Sequence, residues 1–281
     1  MNSENIRSNR KKYIKSAIVL LIVIVLLLFC NFQNKHLETT HYTYEAEQLG
    51  VDLDGYRIVQ ISDLHNAKFG KNNQKLVDRI RECAPDMIVL TGDLVDSNHT
   101  NVDRAVQFVN EIVKICPVYY VTGNHEYWLD TSEYENLMDG VASAGVIILD
   151  NQVVEISRWD AKFRLVGLDD KSLADGTLEA LLSDEKELTV VLAHEPQYFA
   201  RYAGTGADLV LSGHAHGGQF RLPFVGGIVA PDQGFLPEYT AGEYYMNGTE
   251  MIVSRGLGNS VIPVRLFNYP EIVCVDLVGK H

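Results

Sequence analysis

The stretch LSGHAHGGQF, from Leu211 to Phe220, follows directly on the apolar run that ends in Leu211. It places two histidines, His214 and His216, one residue apart and among glycines. Two imidazoles at the end of a strand do not suit a hydrophobic core, because buried polar groups need hydrogen-bond partners. Histidines at this spacing indicate metal ligation if other strand ends supply further ligands.

Five apolar segments of the chain end in such polar clusters, whose sequences are SDLH, TGD, TGNHE, AHEP and SGHAH. In α/β proteins, ligands bind beyond the carboxyl ends of the strands, so these clusters are expected to converge on one place. The clusters contain seven candidate metal ligands: Asp63, His65, Asp93, Asn124, His194, His214 and His216.

This donor set predicts the kind of metal site. A mixture of carboxylate, amide oxygen and imidazole suits Mn²⁺, Fe or Zn²⁺ better than the all-oxygen sites of Mg²⁺ or Ca²⁺. Seven ligands are too many for one tetrahedral ion, and they suit two divalent ions about 3.5–4 Å apart. One carboxylate must then bridge the two ions, and Asp93, between two glycine-flanked strand ends, is the natural candidate.

The order of elements indicates the fold class. Strands alternate with helical patterns up to about residue 145, and strands dominate after it. This order predicts a layered α/β domain with mixed sheets. The chain of 281 residues is long enough for one such domain with a sizeable core.

The N-terminal segment resembles a membrane anchor. The span from Ser16 to Asn34 is uncharged and reaches roughly 28 Å as a helix, near the hydrocarbon thickness of a bilayer. A cleaved signal peptide would want small residues near the cut, and a lipoprotein signal would want one before Cys30, where Phe29 stands. A single uncleaved helix therefore fits best. The predicted organisation is a basic cytoplasmic N-terminus (1–15), a transmembrane anchor (16–34), a linker and lead-in (35–56) and the folded domain that carries the candidate ligands (57–281).

The charge distribution restricts location and partners. Residues 1–36 carry six basic residues and one acid, which predicts a cytoplasmic N-terminus and a domain outside the cytoplasm in a single-pass protein of the cell membrane. The remaining chain carries 18 basic and 36 acidic residues. Such an acidic body excludes nucleic acid as a partner, because phosphate contacts need clustered Lys and Arg. The sequence does not indicate an oligomeric state.

The ordered series DLH, GD, GNHE, H and GHAH resembles the calcineurin-like metallophosphoesterases, over about Arg57 to Leu277. The later stretches GHAHGGQ and SRGLGNSVIPVRLFNYPEI resemble a membrane-associated bacterial branch related to phosphodiesterases that act on UDP-diacylglucosamine. The resemblance implies a four-layer α/β/β/α sandwich of two mixed β-sheets, with a dimetal site at one edge. The predicted transmembrane helix would precede this sandwich.

The resemblance also implies roles for individual residues. It assigns one metal ion to Asp63, His65, Asp93 and His216. It assigns the other ion to Asp93, Asn124, His194 and His214. It leaves His125 free of metal as the general acid, with Asp96 as the carboxylate that orients His125. The implied reaction is phosphoester hydrolysis by a metal-bridging hydroxide, with His125 protonating the leaving group.

The substrate class is less sharply defined. Ser97 stands where protein-phosphatase members often carry arginine, which disfavours that activity. The anchor favours a phosphodiester of a membrane or envelope substrate, such as a lipid-linked one. The alternatives are a soluble nucleotide or cyclic-nucleotide phosphohydrolase and a non-catalytic metal-containing envelope-binding module. Arg255 and Arg265 either contact phosphate or are surface charges. Apolar and aromatic residues after the GHAH block either line a lipid groove or fill the core.

Overall fold

The computed structural model describes residues 3–47, 49–182, 187–259 and 262–280, with side chains described from Lys12 onward. Met1 and Asn2 of the predicted basic N-terminus lie outside the described residues. The helices are α1 (Ser3–Gln33), α2 (Gln74–Glu82), α3 (Val102–Ile112), α4 (Asn124–Tyr127), α5 (Thr131–Ser143), α6 (Thr177–Leu181) and α7 (Phe199–Tyr202).

The strands alternate with these helices in the first half of the chain and dominate the second half. They are β1 (Glu38–Ala46), β2 (Tyr56–Ile61), β3 (Met87–Thr91), β4 (Val118–Val121), β5 (Ile147–Ile148), β6 (Gln152–Arg158), β7 (Ala161–Gly167), β8 (Thr189–Leu192), β9 (Leu209–Ser212), β10 (Arg221–Leu222), β11 (Gly226–Gly227), β12 (Val229–Ala230), β13 (Gly234–Phe235), β14 (Gly242–Met246), β15 (Thr249–Val253) and β16 (Glu271–Gly279).

Twelve of these strands form two six-stranded sheets. The first has the order β1–β16–β2–β3–β4–β5, and the second has the order β14–β15–β9–β8–β7–β6. Each sheet mixes parallel and antiparallel neighbours: β16 runs antiparallel to β2, and β2, β3 and β4 are parallel. In the second sheet, β7, β8 and β9 are parallel, and β6 is antiparallel to β7. Two further pairs, β10–β11 and β12–β13, are short hairpins.

The buried side chains show how the sheets and helices are layered. Successive residues of β2 point to opposite faces of the sheet, as the pleat requires. Ile58 packs between the two sheets, whereas Val59 packs toward α2, α3 and α5. In β8, Val190 faces the first sheet and Val191 faces the side covered by α6 and α7. The predicted four-layer α/β/β/α sandwich with two mixed sheets is confirmed.

The lead-in segment differs in part from the predicted linker. The nine residues of β1 pair in parallel with β16 at the edge of the first sheet. Arg255 fixes this edge, because its guanidinium donates to Glu38 and Glu271. The sequence of β1, ETTHYTYEA, is rich in Thr and Tyr, which favour strands. The segment 38–46 therefore belongs to the folded sheet, while the other predicted boundaries stay predictions.

The N-terminal helix α1 is apolar and projects from the sandwich. Its segment Lys12–Gln33 has a mean hydropathy of 2.8 and is long and apolar enough to cross a membrane. The side chains of its apolar middle, from Ile18 to Leu28, are about half exposed or more. Soluble proteins rarely expose so much contiguous apolar surface, which suggests a membrane anchor.

Candidate metal centre

The seven predicted ligands are all buried at the carboxyl ends of neighbouring strands. Asp63 and His65 follow β2, Asp93 follows β3 and Asn124 follows β4. From the second sheet, His194 follows β8, and His214 and His216 follow β9. Five of the seven have left-handed backbone conformations, which are strained for residues with a side chain and concentrate at functional sites. These five are Asp63, His65, Asp93, His214 and His216, with φ between 43° and 63°.

The first ligand group consists of Asp63, His65, Asp93 and His216, whose donor atoms all lie within 4.8 Å of one another. The Nε2 atom of His65 lies 3.2 Å from Nε2 of His216 and 3.4 Å from Oδ2 of Asp93. Burial lowers the pKa of His65 well below its usual value, although Asp93 opposes this shift. Burial likewise lowers the pKa of His216 to about 4 against the effect of Asp63. Both shifts favour the neutral imidazole, the form that metal ligation requires.

The second group gathers around His194, whose tautomer is fixed by the backbone. Its Nδ1 lies 2.7 Å from the carbonyl oxygen of Thr91, so this nitrogen must carry a proton and donate it. Its Nε2 then lies 3.1 Å from Oδ1 of Asn124 and 3.3 Å from Oδ2 of Asp93, two further acceptors. A positive charge, carried by a metal ion or a second proton, is needed to hold these atoms together. Burial acts to lower the pKa of His194, but Asp93 holds it well above its usual value.

His214 completes this second group. Its Nε2 lies 3.0 Å from Oδ2 of Asp232, a contact that keeps the proton on Nε2. Its Nδ1 lone pair therefore points toward Oδ1 of Asn124 at 3.0 Å and Nε2 of His194 at 3.2 Å. The donor atoms of this group face one another across the space where a cation fits. Sequence reasoning missed Asp232, because it lies in a PDQG stretch that indicates only a turn.

Asp93 belongs to both ligand groups and is held by the backbone. Its Oδ1 accepts the N–H of His125 at 2.9 Å. Burial acts to raise the pKa of Asp93, but His194 and His65 hold it well below its usual value. Asp93 is thus an ionised carboxylate positioned between the two groups, as a bridging ligand must be.

Glu126 joins the strand ends that carry the ligands, and sequence reasoning missed this role. Its buried carboxylate accepts the N–H groups of Asp93 at 2.9 Å, Leu94 at 2.8 Å and Gly123 at 2.7 Å. These bonds hold the end of β3 against the start of α4. The sequence did contain a signal for this role. Glu126 is the third residue of the helix that begins after Gly123, and Glu at this position commonly caps the backbone at the helix start.

Glycines provide the space in which the ligands meet. A Cβ on Gly213 would lie 1.8 Å from Oγ of Ser62 and 2.5 Å from Oδ2 of Asp63. A Cβ on Gly123 would lie 2.5 Å from Oδ1 of Asp93. Since real Cβ atoms do not approach other atoms so closely, these positions require glycine.

His125 lies beside the first ligand group, and Ser97 engages its ring. The backbone N–H of Ser97 donates to Nδ1 of His125 at 3.1 Å, and Oγ of Ser97 lies 3.0 Å from the same atom. Nδ1 is therefore an acceptor, so the neutral ring carries its proton on Nε2. Asp96, the predicted orienting residue, lies 3.7 Å from Nδ1, beyond hydrogen-bond length, and accepts from Asn98 at 3.0 Å. The direct contact with His125 thus comes from Ser97, with the Asp96 charge close by.

Arg255 and Arg265 were interpreted either as phosphate contacts or as surface charges, and the structure supports neither interpretation. Arg265 is fully buried and donates to the carbonyl oxygen of Arg255 and to Oδ1 of Asn259. Arg255 pairs with Glu38 and Glu271. Both guanidinium groups stabilise the fold around β1 and β16, so they are neither surface charges nor positioned for phosphate.

Comparisons with known proteins agree with this geometry. The family model of the calcineurin-like phosphoesterases matches residues 56–218, which contain all seven candidate ligands. The chain is 32% identical over 257 residues to the uncharacterized metallophosphoesterase YkuE of Bacillus subtilis, covering 87% of each protein. It is 31% identical to the phosphodiesterase YaeI of Escherichia coli, covering 79% of this chain and 82% of that protein. A zebrafish transmembrane protein with a metallophosphoesterase domain is 29% identical, with 83% of this chain and 55% of that protein covered.

Proposed function

This chain belongs to the calcineurin-like phosphoesterase family and is a hydrolase, and from that premise we propose that it cleaves a phosphodiester at a centre of two divalent metal ions, either Mn, Zn or Fe. The observation that carries the proposal is the pair of buried ligand groups that share Asp93. The similarity to a relative named as a phosphodiesterase supports a diester over a monoester. Ser97, in place of a guanidinium that would bind a dianionic monoester, supports it further.

We assign four ligands to each ion, with Asp93 common to both; the two buried groups support this division. Asp63, His65, Asp93 and His216 would hold one ion. Asp93, Asn124, His194 and His214 would hold the other. Two such ions, when bound, activate water as a nucleophile near neutral pH and neutralise charge on the phosphoryl oxygens. The chain itself fixes the ligand tautomers through Thr91 and Asp232 and keeps Asp93, which would join the two ions, ionised.

His125 is proposed as the general acid. Ser97 occupies its Nδ1, so the proton of the neutral ring is on Nε2. The Asp96 carboxylate, 3.7 Å from Nδ1, places a negative charge beside the ring. His125 can then donate a proton to the leaving oxygen of the substrate. General acids of this kind contribute about 10²–10⁴-fold to the rate.

The substrate is proposed to lie at a membrane or in the cell envelope, such as a lipid-linked phosphodiester. The apolar helix α1 supports a single-pass anchor in the cell membrane. The excess of basic residues before the apolar span supports a cytoplasmic N-terminus and an extracytoplasmic catalytic domain. The similarity to a relative named as a transmembrane protein supports membrane association.

The experiment compares His125→Ala with His41→Ala, a control histidine that is exposed on β1. The full chain in detergent is assayed on bis(p-nitrophenyl) phosphate and p-nitrophenyl phosphate with Mn²⁺ or Zn²⁺. We expect diester turnover to fall about 10²–10⁴-fold in His125→Ala only, with the metal content unchanged. Equal turnover in the two variants would contradict the role of His125.

The same assay separates the competing functions. A wild-type chain that binds metal but cleaves neither ester nor any phosphodiester lipid favours the metal-containing binding module. Preference for soluble nucleotides or cyclic nucleotides over lipid-linked diesters favours the soluble-substrate hydrolase.

A further inference from the structure

The helix α1 joins the sandwich at the edge that carries the metal centre. Strand β1 begins at Glu38, opposite Glu271 at the start of β16. Strand β16 runs antiparallel to β2 and places Val273 opposite Gln60, three residues before the ligand Asp63. The start of β1, and with it the end of α1, therefore lies at the same end of the sheet as the ligands.

Side-chain contacts fix the end of α1 to this edge. The Asn34 side chain donates to the carbonyl oxygen of Pro263 at 2.8 Å and accepts the N–H of Arg265 at 2.8 Å. The ring of Phe29 packs edge-on against Phe267, with centroids 6.0 Å apart. The apolar helix and the loop before β16 thus form one continuous structure.

Next to this loop, two hairpins expose apolar side chains to solvent. The stretch 222–231, LPFVGGIVAP, has no charged residue, although the chain after residue 36 contains 36 acids. Phe224, at the tip of β10–β11, is fully exposed. Together with Phe267, the exposed apolar residues of the hairpins form a surface that we call the apolar rim: Leu222, Phe224, Val225, Phe235, Leu236 and Phe267.

Backbone pairing connects the parts of the apolar rim. Phe220 forms a bridge with Leu266, the residue before Phe267. The N–H of Ile228 donates to the carbonyl oxygen of Phe220 at 2.9 Å, and the N–H of Leu236 donates to that of Ile228 at 2.9 Å. Both hairpins and the loop that contacts α1 are therefore held side by side.

The same segments hold metal ligands. Asp232, between β12 and β13, bonds to His214 at 3.0 Å. The side chain of Asn268, next to Phe267, donates to the carbonyl oxygen of His216 at 2.7 Å. Whatever contacts the apolar rim therefore lies beside the metal centre.

We propose that the apolar rim inserts into the surface of the lipid bilayer beside the anchor, so that the metal centre takes its phosphodiester from the headgroup layer. Aromatic and aliphatic side chains of this kind bind membrane interfaces through their buried apolar area. The six side chains of the rim carry no charge, which limits repulsion from anionic lipid, and the exposed Asp232 in the β12–β13 turn is paired with His214. This inference rests on the proposed anchoring and deepens the proposed function by naming the layer that supplies the substrate.

The test places a single tryptophan in the apolar rim of the full chain. The variant Phe224→Trp with Trp128→Phe and Trp159→Phe is reconstituted into phosphatidylcholine vesicles, with and without bromine on the acyl chains. The control is Trp128→Phe alone, which retains Trp159 with 76% exposure. Trp159 lies in the turn before β7, and β7 runs parallel to β8, so this residue is at the opposite end of the sheet from His194.

We expect brominated lipid to quench the emission of the Phe224→Trp variant strongly and that of the control hardly at all. Equal emission with and without bromine in the rim variant would overturn the proposal. If iodide in the buffer then quenches the variant, the rim is in water; if it does not, a second copy of the chain covers the rim. Flotation of the chain with the vesicles tests the anchor separately, and turnover of bis(p-nitrophenyl) phosphate tests the hydrolase separately.

Discussion

Asp232 is expected to set the metal affinity of one ligand group and not the other. Its Oδ2 lies 3.0 Å from Nε2 of His214, and this contact presents the opposite nitrogen of the ring to Asn124 and His194. Replacing Asp232 with alanine leaves the ring free to change its tautomer and orientation. The first ligand group has no contact with Asp232 among the described residues.

The exposure of Asp232 determines the expected magnitude. A hydrogen bond to a charged group contributes about 1.5–3 kcal/mol when it is shielded from water. The Asp232 side chain is 65% exposed, and solvent screening reduces its contribution to about 1 kcal/mol. That value corresponds to about fivefold in affinity, just below the range of about 10–100-fold for residues that orient metal ligands.

The assay is calorimetric titration of the metal-depleted full chain in detergent with Mn²⁺. We expect Asp232→Ala to weaken one of two binding steps about fivefold and to leave the other unchanged. Asp232→Asn should lose less metal affinity, because its amide oxygen still accepts a hydrogen bond. The variant Glu238→Ala controls for the loss of an exposed acid nearby. Equal weakening of both steps, or wild-type binding by Asp232→Ala, would refute the reasoning.

Three further results are expected from thermal, metal and kinetic measurements. Gly213→Ala should lose metal, because its Cβ would overlap a serine hydroxyl at 1.8 Å. The control Gly204→Ala should retain metal, because the nearest contact of its Cβ is 3.5 Å away. Equal metal content in the two variants would contradict the steric argument. Ser97→Ala removes the hydroxyl 3.0 Å from His125 but keeps the backbone N–H, so turnover should fall about two- to tenfold at unchanged metal content; a loss as large as that of His125→Ala would show that the backbone contact does not suffice. Burial raises the pKa of Glu250 from 4.5 to about 7, so the folded chain binds this proton more tightly than the unfolded chain does, and stability is lost as pH rises through that window. Glu250→Gln should therefore gain on the order of 2 kcal/mol in unfolding free energy at pH 8 after allowance for partial exposure, and almost nothing at pH 4; an equal gain at both pH values would mean that titration is not the cause.

The sequence was sufficient to predict the convergence of the seven ligand candidates. Each follows an apolar strand, and the carboxyl ends of parallel strands meet at one edge of a sheet. The left-handed backbone at Asp63 or His216 could not be predicted in this way, since it arises from the tight approach of loops from both sheets. In the sequence, Gly213 reflects this crowding, because a larger residue would overlap Ser62 and Asp63.

Residues that act through tertiary contacts were not predicted. Ser97 follows the predicted orienting residue Asp96, and only the turn of the backbone decides which of them meets His125. Asp232 reaches His214 because a hairpin folds back across the site, 18 residues along the chain. Each of the three guanidinium nitrogens of Arg265 donates to a loop carbonyl or to an amide oxygen, an environment that has no periodic pattern in the sequence.

The strand β1 shows a related limit of sequence patterns. From Thr40 to Ala46 its residues alternate between exposed and more buried positions, but only Tyr44 and Ala46 are buried, since β1 lies at the edge of the sheet. Its partner β16 lies more than 200 residues away in the chain. Strand propensity alone could not identify that pairing, and the segment therefore resembled a linker.

The most direct test of the dimetal centre is the number of metal ions per chain, measured by elemental mass spectrometry on the full chain and on Asp93→Ala. Because Asp93 belongs to both ligand groups, we expect two ions per wild-type chain and the loss of both in the variant. Two ions retained by Asp93→Ala, or a single ion in the wild-type chain, would contradict a centre in which this carboxylate joins two metals.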